Sequence, residues 1–129
     1  MLRQHDIQVR VRYQETDGQG RLHHANYFTY FELGRTELLR AAGKSYLQVE
    51  QAGYMLVVVE IGCEYFLPAG FDDLLTVRTT VIRAKGARIE HQYEVFRDEE
   101  LLARGRSIVA CVDLSGKPKR IPDWLLPDD

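Results

Sequence analysis

Residues 12–39, RYQETDGQGRLHHANYFTYFELGRTELL, crowd Glu15, Asp17, His23 and His24 directly ahead of a run with helical spacing. Carboxylates and imidazoles are the side chains best suited to move protons or attack a carbonyl carbon near neutral pH. Asp17, within Thr-Asp-Gly-Gln-Gly, is the candidate nucleophile or base, and His24 the candidate partner. The same five residues also suit an Asx turn, with Asp17 doing no more than folding the loop over Gly18 and Gly20. Two adjacent histidines beside an acid raise a metal site. Their side chains are expected to diverge, however, and no third ligand is suitably spaced, so no metal is expected. His23 reads as a surface loop residue. His5 and His91 read as structural, His91 alternating with Ile89, Tyr93 and Val95 as a hydrogen-bonded core imidazole.

These groups must be held by the elements around them. Ile7, Val9, Val11 and Tyr13 alternate with polar residues, predicting a strand over Asp6–Tyr13, and QETDGQG breaks it as a loop. From about His24 to Ala42 the period changes. Tyr27, Phe31, Gly34, Leu38 and Ala41/Ala42 share one stripe, while Glu32, Arg35, Glu37 and Arg40 fall on other faces. Asn26 is the expected N-cap and Gly43 the stop; a short helix follows over Ser45–Gln51. Four strands complete the chain: Met55–Leu67, Leu74–Ala84, Ala87–Arg97 and Leu101–Leu114, joined by short turns and expected to be antiparallel. The loop-like tail has room for one helical turn.

Strands of this length around one helix predict an α+β domain, a long antiparallel sheet wrapped around one central helix. Ala103, Gly105 and Ser107 give the last strand a small-residue face where the helix can approach. The alternate face holds Leu102, Ile108, Ala110 and Val112, interrupted by Arg104 and Arg106. One helix cannot cover both faces of such strands, so self-association is expected. Asp17 then lies on a loop at the mouth of the helix. The unpaired N–H groups of the first turn carry the positive end of the helix dipole, so a carbonyl oxygen docked there is stabilised as it gains charge.

Composition narrows the partners. Residues 1–129 read as a single domain, and a net charge of −2 provides no field for nucleic acid. No apolar run approaches the roughly 18 residues of a membrane span. Charges occupy the N-terminal stretch where a signal peptide would be apolar. Cys63 and Cys111 lie in separate strand-like runs and read as reduced core thiols, which points to a cytoplasmic protein.

The quoted stretch resembles the signature of the 4-hydroxybenzoyl-CoA thioesterase family of hotdog-fold proteins, especially its bacterial short-chain acyl-CoA hydrolase (YbgC-like) branch. Tyr13, Thr16-Asp17, Gly20, His24, Asn26-Tyr27, Tyr30-Phe31 and Glu32 match that pattern in order. Downstream, Glu60, Tyr65, Pro68-Ala69 and Asp72-Asp73-Leu74 match a second block, and GKPKRIP matches the usual ending. The resemblance implies a hotdog fold and hydrolysis of an acyl-CoA. It further implies homodimers with continuous sheets, assembling to tetramers, and active sites at subunit interfaces. It assigns catalysis to Asp17 as nucleophile or general base, with the His24 N–H facing the thioester oxygen and the His24 side chain contacting substrate. It places Tyr13, Thr16, Gly20, Asn26 and Tyr27 around the substrate and Arg83, Lys85 and Arg88 on the CoA phosphates. No cofactor is implied beyond the CoA of the substrate. Two other readings fit the same fold. One is a hydratase or dehydratase of acyl thioesters, whose Asp-x-Asn-Pro-x-His-like run is missing here. The other is an acyl-CoA-binding module without hydrolysis. The acyl group stays open between short aliphatic, hydroxybenzoyl and naphthoyl.

Overall fold

The computed structural model describes residues 1–128. Five strands form one antiparallel sheet: β1 (Gln4–Arg10), β2 (Met55–Tyr65), β3 (Leu74–Lys85), β4 (Arg88–Arg97) and β5 (Glu100–Val112). Their spatial order is β1-β3-β4-β5-β2, and helix α1 (Asn26–Ala41) fills the inner face, followed by the short α2 (Tyr46–Gln51). This is the hotdog arrangement, a sheet wrapped around one helix.

Three local expectations change. β1 stops at Arg10, and Tyr13–Glu15 coil into a single 3-10 turn, because the Glu15 carboxylate takes the Arg12 N–H that a longer strand would need. β2 and β3 are neighbours in sequence but not in the sheet. β2 crosses to the far edge and pairs with β5 from Met55↔Val112 to Tyr65↔Ala103, leaving only β3–β4 and β4–β5 as hairpins. Arg35, expected on an outer face, is buried at 8% exposure. It lies four residues after Phe31 and three before Leu38, on the inward stripe by spacing.

The helix sits close to the sheet because two positions lack side chains. A Cβ on Gly105 would overlap the ring of Phe31, and one on Gly34 would overlap the hydroxyl of Thr79. Phe31 stacks flat on Tyr93, centroids 4.3 Å apart. Around the N-terminal half of α1 the core is Tyr27, Tyr30 and Phe31 with Val77, Val95 and Ala103; around the C-terminal half it is Leu38 and Leu39 with Val49, Val81, Ile89 and Val109. A polar belt separates the halves: Arg35 donates to the Tyr93 hydroxyl (2.9 Å), which lies 2.5 Å from Ser107 Oγ.

The outer face of the sheet is not the apolar surface that the strand patterns suggested. Register places Asp6, Arg78, Glu94, Arg104 and Glu64 in one row across all five strands, alternating in sign. Arg78 grips Asp6 with two bonds of 2.9 and 3.0 Å. Exposed apolar residues gather instead on and just beyond the open edge β2, at Val58, Val59, Tyr65, Phe66 and Leu67. No helix among the described residues is long and apolar enough to cross a membrane.

Adding one methyl at the helix–sheet contact tests the packing. Gly105→Ala should lower unfolding free energy by about 1–3 kcal/mol through overpacking against Phe31, read as a lower urea midpoint. An unchanged midpoint would mean that the helix has room to retreat.

Candidate active site

Asp17 occupies the tip of a tight hairpin. Its N–H donates to the Arg21 carbonyl (2.8 Å) and its carbonyl accepts from Gly20 N–H (3.0 Å), with Gly20 in the left-handed region at φ 77°. The side chain completes the turn: Oδ1 accepts from the N–H groups of Gln19 (2.8 Å) and Arg21 (3.2 Å). The Asx turn therefore forms, yet it uses one oxygen only. Oδ2 has no partner among the described residues. The Gln19 N–H is the chief reason that the carboxyl lies below its ordinary value, assisted against a small desolvation cost by the Arg21 N–H and nearby positive charge. Turn-former and reactive anion are compatible roles.

The hairpin is fixed at both ends. Leu22 N–H donates to the Ala69 carbonyl (2.9 Å), joining the hairpin to the β2–β3 crossing. Glu15 joins it to α1. This carboxylate is 6% exposed, and its Oε1 accepts from the Arg12 N–H and the Tyr30 hydroxyl, both at 2.8 Å. Its backbone carbonyl accepts from the His23 N–H (2.9 Å) and from Asn26 Nδ2 (2.8 Å). Burial pushes the Glu15 carboxyl up, but the Arg12 N–H, the Tyr30 hydroxyl and the Arg12 guanidinium together outweigh it and hold the group below its ordinary value of 4.5.

A cleft of about 290 Å³ opens between these parts, lined by Asp17, His24, Tyr27, Tyr65, Phe66 and Pro68 among others. The backbone N–H of His24, just before the helix, has no acceptor among the described residues. The Tyr65 hydroxyl donates to the His24 carbonyl (2.8 Å), and its ring packs edge-on to Tyr27 at 5.1 Å. Burial raises both phenols to about 12, so Tyr65 stays a donor through the physiological range.

Several sequence expectations need placing against this geometry. His23 and His24 do not diverge: their rings stack at 4.2 Å, because His23 turns back to accept the Ala25 N–H on Nδ1. Among the described residues no three His, Cys, Asp or Glu side chains gather as a metal site. Asn26 is not the N-cap. Ala25 holds that position without a side-chain bond, and Asn26 is the first helical residue, anchored to Glu15. Thr16 bonds back to the Tyr13 carbonyl (2.7 Å), and Thr16, Gly20 and Asn26, expected around the substrate, are not among the residues that line the cleft. Tyr13 stands apart from it, 76% exposed and packed edge-on to Phe71. Glu32 is exposed.

Arg83, Lys85 and Arg88 line a separate hollow of about 260 Å³ at the β3–β4 turn. β4 runs from Arg88 to Arg97, and Arg97 reaches the Pro68 carbonyl at the cleft wall (3.3 Å). The basic cluster is thus a strand's length away, about 25–30 Å at ~3.3 Å per residue. One protomer does not bring it to Asp17. Glu15, Tyr65 and Arg97 are the contributors that motif reasoning did not assign to the site.

The profile of the thioesterase-like superfamily matches residues 11–127. The chain belongs to this superfamily. It is 39% identical over 116 residues to the acyl-CoA thioesterase YbgC of Haemophilus influenzae, covering 88% of this chain and 83% of that one. It is 34% identical over 122 residues to the acyl-CoA thioester hydrolase YbgC of Escherichia coli, covering 93% and 91%. Among solved structures, a DHNA-CoA thioesterase from Staphylococcus aureus superposes with a TM-score of 0.88 at 29% identity, covering 94% of this chain and 85% of that one. The hotdog architecture and the thioester-hydrolase class follow.

The Glu15 tie has a pH signature. A depressed carboxylate contributes stability above its unfolded pKa and loses it as pH falls through the folded value. Glu15→Gln should therefore cost about 1–3 kcal/mol at pH 7. The gap to wild type should narrow below pH 4.5 and close at lower pH, followed by denaturant titration across pH. A gap independent of pH would remove the charge from the account.

Proposed function

We propose that this thioesterase hydrolyses acyl-CoA thioesters of a short aliphatic or an aromatic acyl group, with Asp17 supplying the reactive oxygen and the His24 N–H holding the oxyanion. The observation that carries this is the shared cleft: Asp17, an ionised carboxylate with one oxygen unbonded, and His24, whose backbone N–H has no acceptor among the described residues, line the same space. As the thioester carbonyl is attacked, charge develops on its oxygen, and a preorganised donor of this kind contributes about 10²–10³ in rate. The attacking oxygen comes from Asp17 Oδ2 directly, giving an anhydride that water then cleaves, or from a water that Asp17 deprotonates. In both routes the tetrahedral intermediate collapses by expelling the CoA thiolate. The His24 ring borders the substrate beside Tyr65.

CoA also carries phosphates, and the family's oligomers supply a reason for the distant basic cluster. The open edge β2 presents unpaired backbone and apolar side chains, the kind of edge that a second copy covers. Antiparallel two-fold pairing through β2 reverses the partner's strands, so the partner's Arg83–Arg88 end falls beside the cleft. We assign those cations to the nucleotide end of CoA, across a homodimer whose charged outer faces pair it further into a tetramer. Two free cysteines, Cys63 and Cys111, fit a reducing cytoplasm.

Thiol release from a series of acyl-CoAs tests the reaction. Asp17→Asn should lose at least about 10²-fold in kcat while still binding substrate. Because the Asp17 carboxyl is held below 3.8, the wild-type rate should show no carboxylate-dependent fall until pH drops beneath that value. Binding with no thiol release by wild type would favour a non-hydrolytic module instead; hydration of an enoyl-CoA would favour a hydratase.

Arg88→Ala tests the CoA assignment separately. It should raise KM for acyl-CoA several-fold and leave the corresponding N-acetylcysteamine thioester, which lacks the nucleotide, unchanged. Equal effects on both substrates would contradict it.

A further inference from the structure

The polar belt inside the core leaves a charge without a counter-charge. Arg35 is 8% exposed; it donates to the neutral hydroxyl of Tyr93, over whose ring its guanidinium also lies at 5.9 Å, and the neutral hydroxyl of Tyr46 is its other near polar group. No carboxylate pairs with it among the described residues. Its Nε–H is buried with no acceptor, and so is Nδ1 of His91, itself 7% exposed. Arg35 and His91 line the same small cavity, about 20 Å³, with Tyr46 and apolar side chains that include Leu38, Val81, Ile89 and Leu125. The Met1 ammonium at its margin is already bound to the Leu126 carbonyl and the Asp128 carboxylate.

A buried charge without a partner costs several kcal/mol, and orphaned buried donors add to that cost. A cavity of this size exceeds the ~10–15 Å³ that one water requires and is too small for a polyatomic acid. Water would satisfy a donor but leave the guanidinium uncompensated. A monatomic anion does both.

We propose that this cavity is a structural halide site, in which a chloride accepts the Arg35 Nε–H and the His91 Nδ1–H and neutralises the buried guanidinium. Arg35 stands on α1 and His91 on β4, so an ion held by both ties the helix to the centre of the sheet. Burial and the nearby Arg35 charge push His91 down to about 3, so the imidazole is neutral; a halide at this site requires its proton on Nδ1, where it contributes a dipole donor. The ion's single unit of charge is then matched by Arg35 alone. The site is far from the Asp17 cleft, at the opposite half of the helix, and is independent of the catalytic reading.

Two measurements on the full chain test it. Crystals grown or soaked in sodium bromide should give an anomalous peak within about 3.5 Å of Arg35 Nε, where N–H donors meet a halide. In solution, Tm should rise by a few degrees from about 10 to 500 mM sodium chloride relative to sodium gluconate at matched ionic strength, as expected for a ligand bound only by the folded state. Arg35→Met, which keeps the side-chain length without the charge, should abolish that halide dependence. If that variant does not fold, His91→Leu, which removes one donor, should reduce it at least several-fold. A cavity holding water or nothing in the bromide crystals, or equal Tm in chloride and gluconate, overturns the proposal.

Discussion

A buried carboxylate at the junction of strand, loop and helix sets the geometry on which everything else rests. Glu15 has almost no contact with water, so each of its oxygens must be satisfied by protein, and each partner that satisfies it is thereby fixed. Its side chain ends β1 by taking the Arg12 N–H and holds Tyr30 in the helix; its carbonyl gathers the His23 N–H and the Asn26 amide. The chain is pinned on both sides of the Asp17 hairpin. The His24 N–H, on a residue that lines the cleft just before the helix, is left without an acceptor among the described residues.

From that tie the rest of the site follows by short steps. The hairpin consumes Oδ1 of Asp17 and leaves Oδ2 available. The β2–β3 crossing must pass the helix mouth to reach the far edge, which brings Tyr65, Phe66 and Pro68 to the cleft as its second wall. Arg97 holds this wall from β4, bonding both the Pro68 carbonyl and Asp73. Gly34 and Gly105 let the helix approach the sheet closely.

Most of this organisation is legible in the sequence because periodicity reports directly on burial. The five strands, α1, the turn at Lys85-Gly86 and the small face of β5 were all readable from spacing and residue size. Strand partners were not: local alternation carries no information on which strand a neighbour will be, so the placement of β2 beside β5 was invisible. Residue type misled at Arg35, where spacing pointed inward and charge suggested outward. At Asn26 a good capping residue serves as a tether instead: Ala25 takes the N-cap position, and the Asn26 amide donates to the Glu15 carbonyl. The role of Glu15 itself was hidden because it depends on Tyr30, fifteen residues on. The signature around Asp17 marked the candidate site; the fold shows how the residues before and after it hold that loop in place.

The most direct measurement is a crystal structure of the protein with an acyl-CoA analogue in which a methylene replaces the thioester sulfur, leaving an uncleavable ketone. The account predicts the ketone oxygen within hydrogen-bond distance of the His24 N–H, with Asp17 Oδ2 or a water bound to it facing the carbonyl carbon, and the Glu15–Tyr30 bond intact. A ketone bound elsewhere, or a His24 N–H turned away from it, would contradict the account.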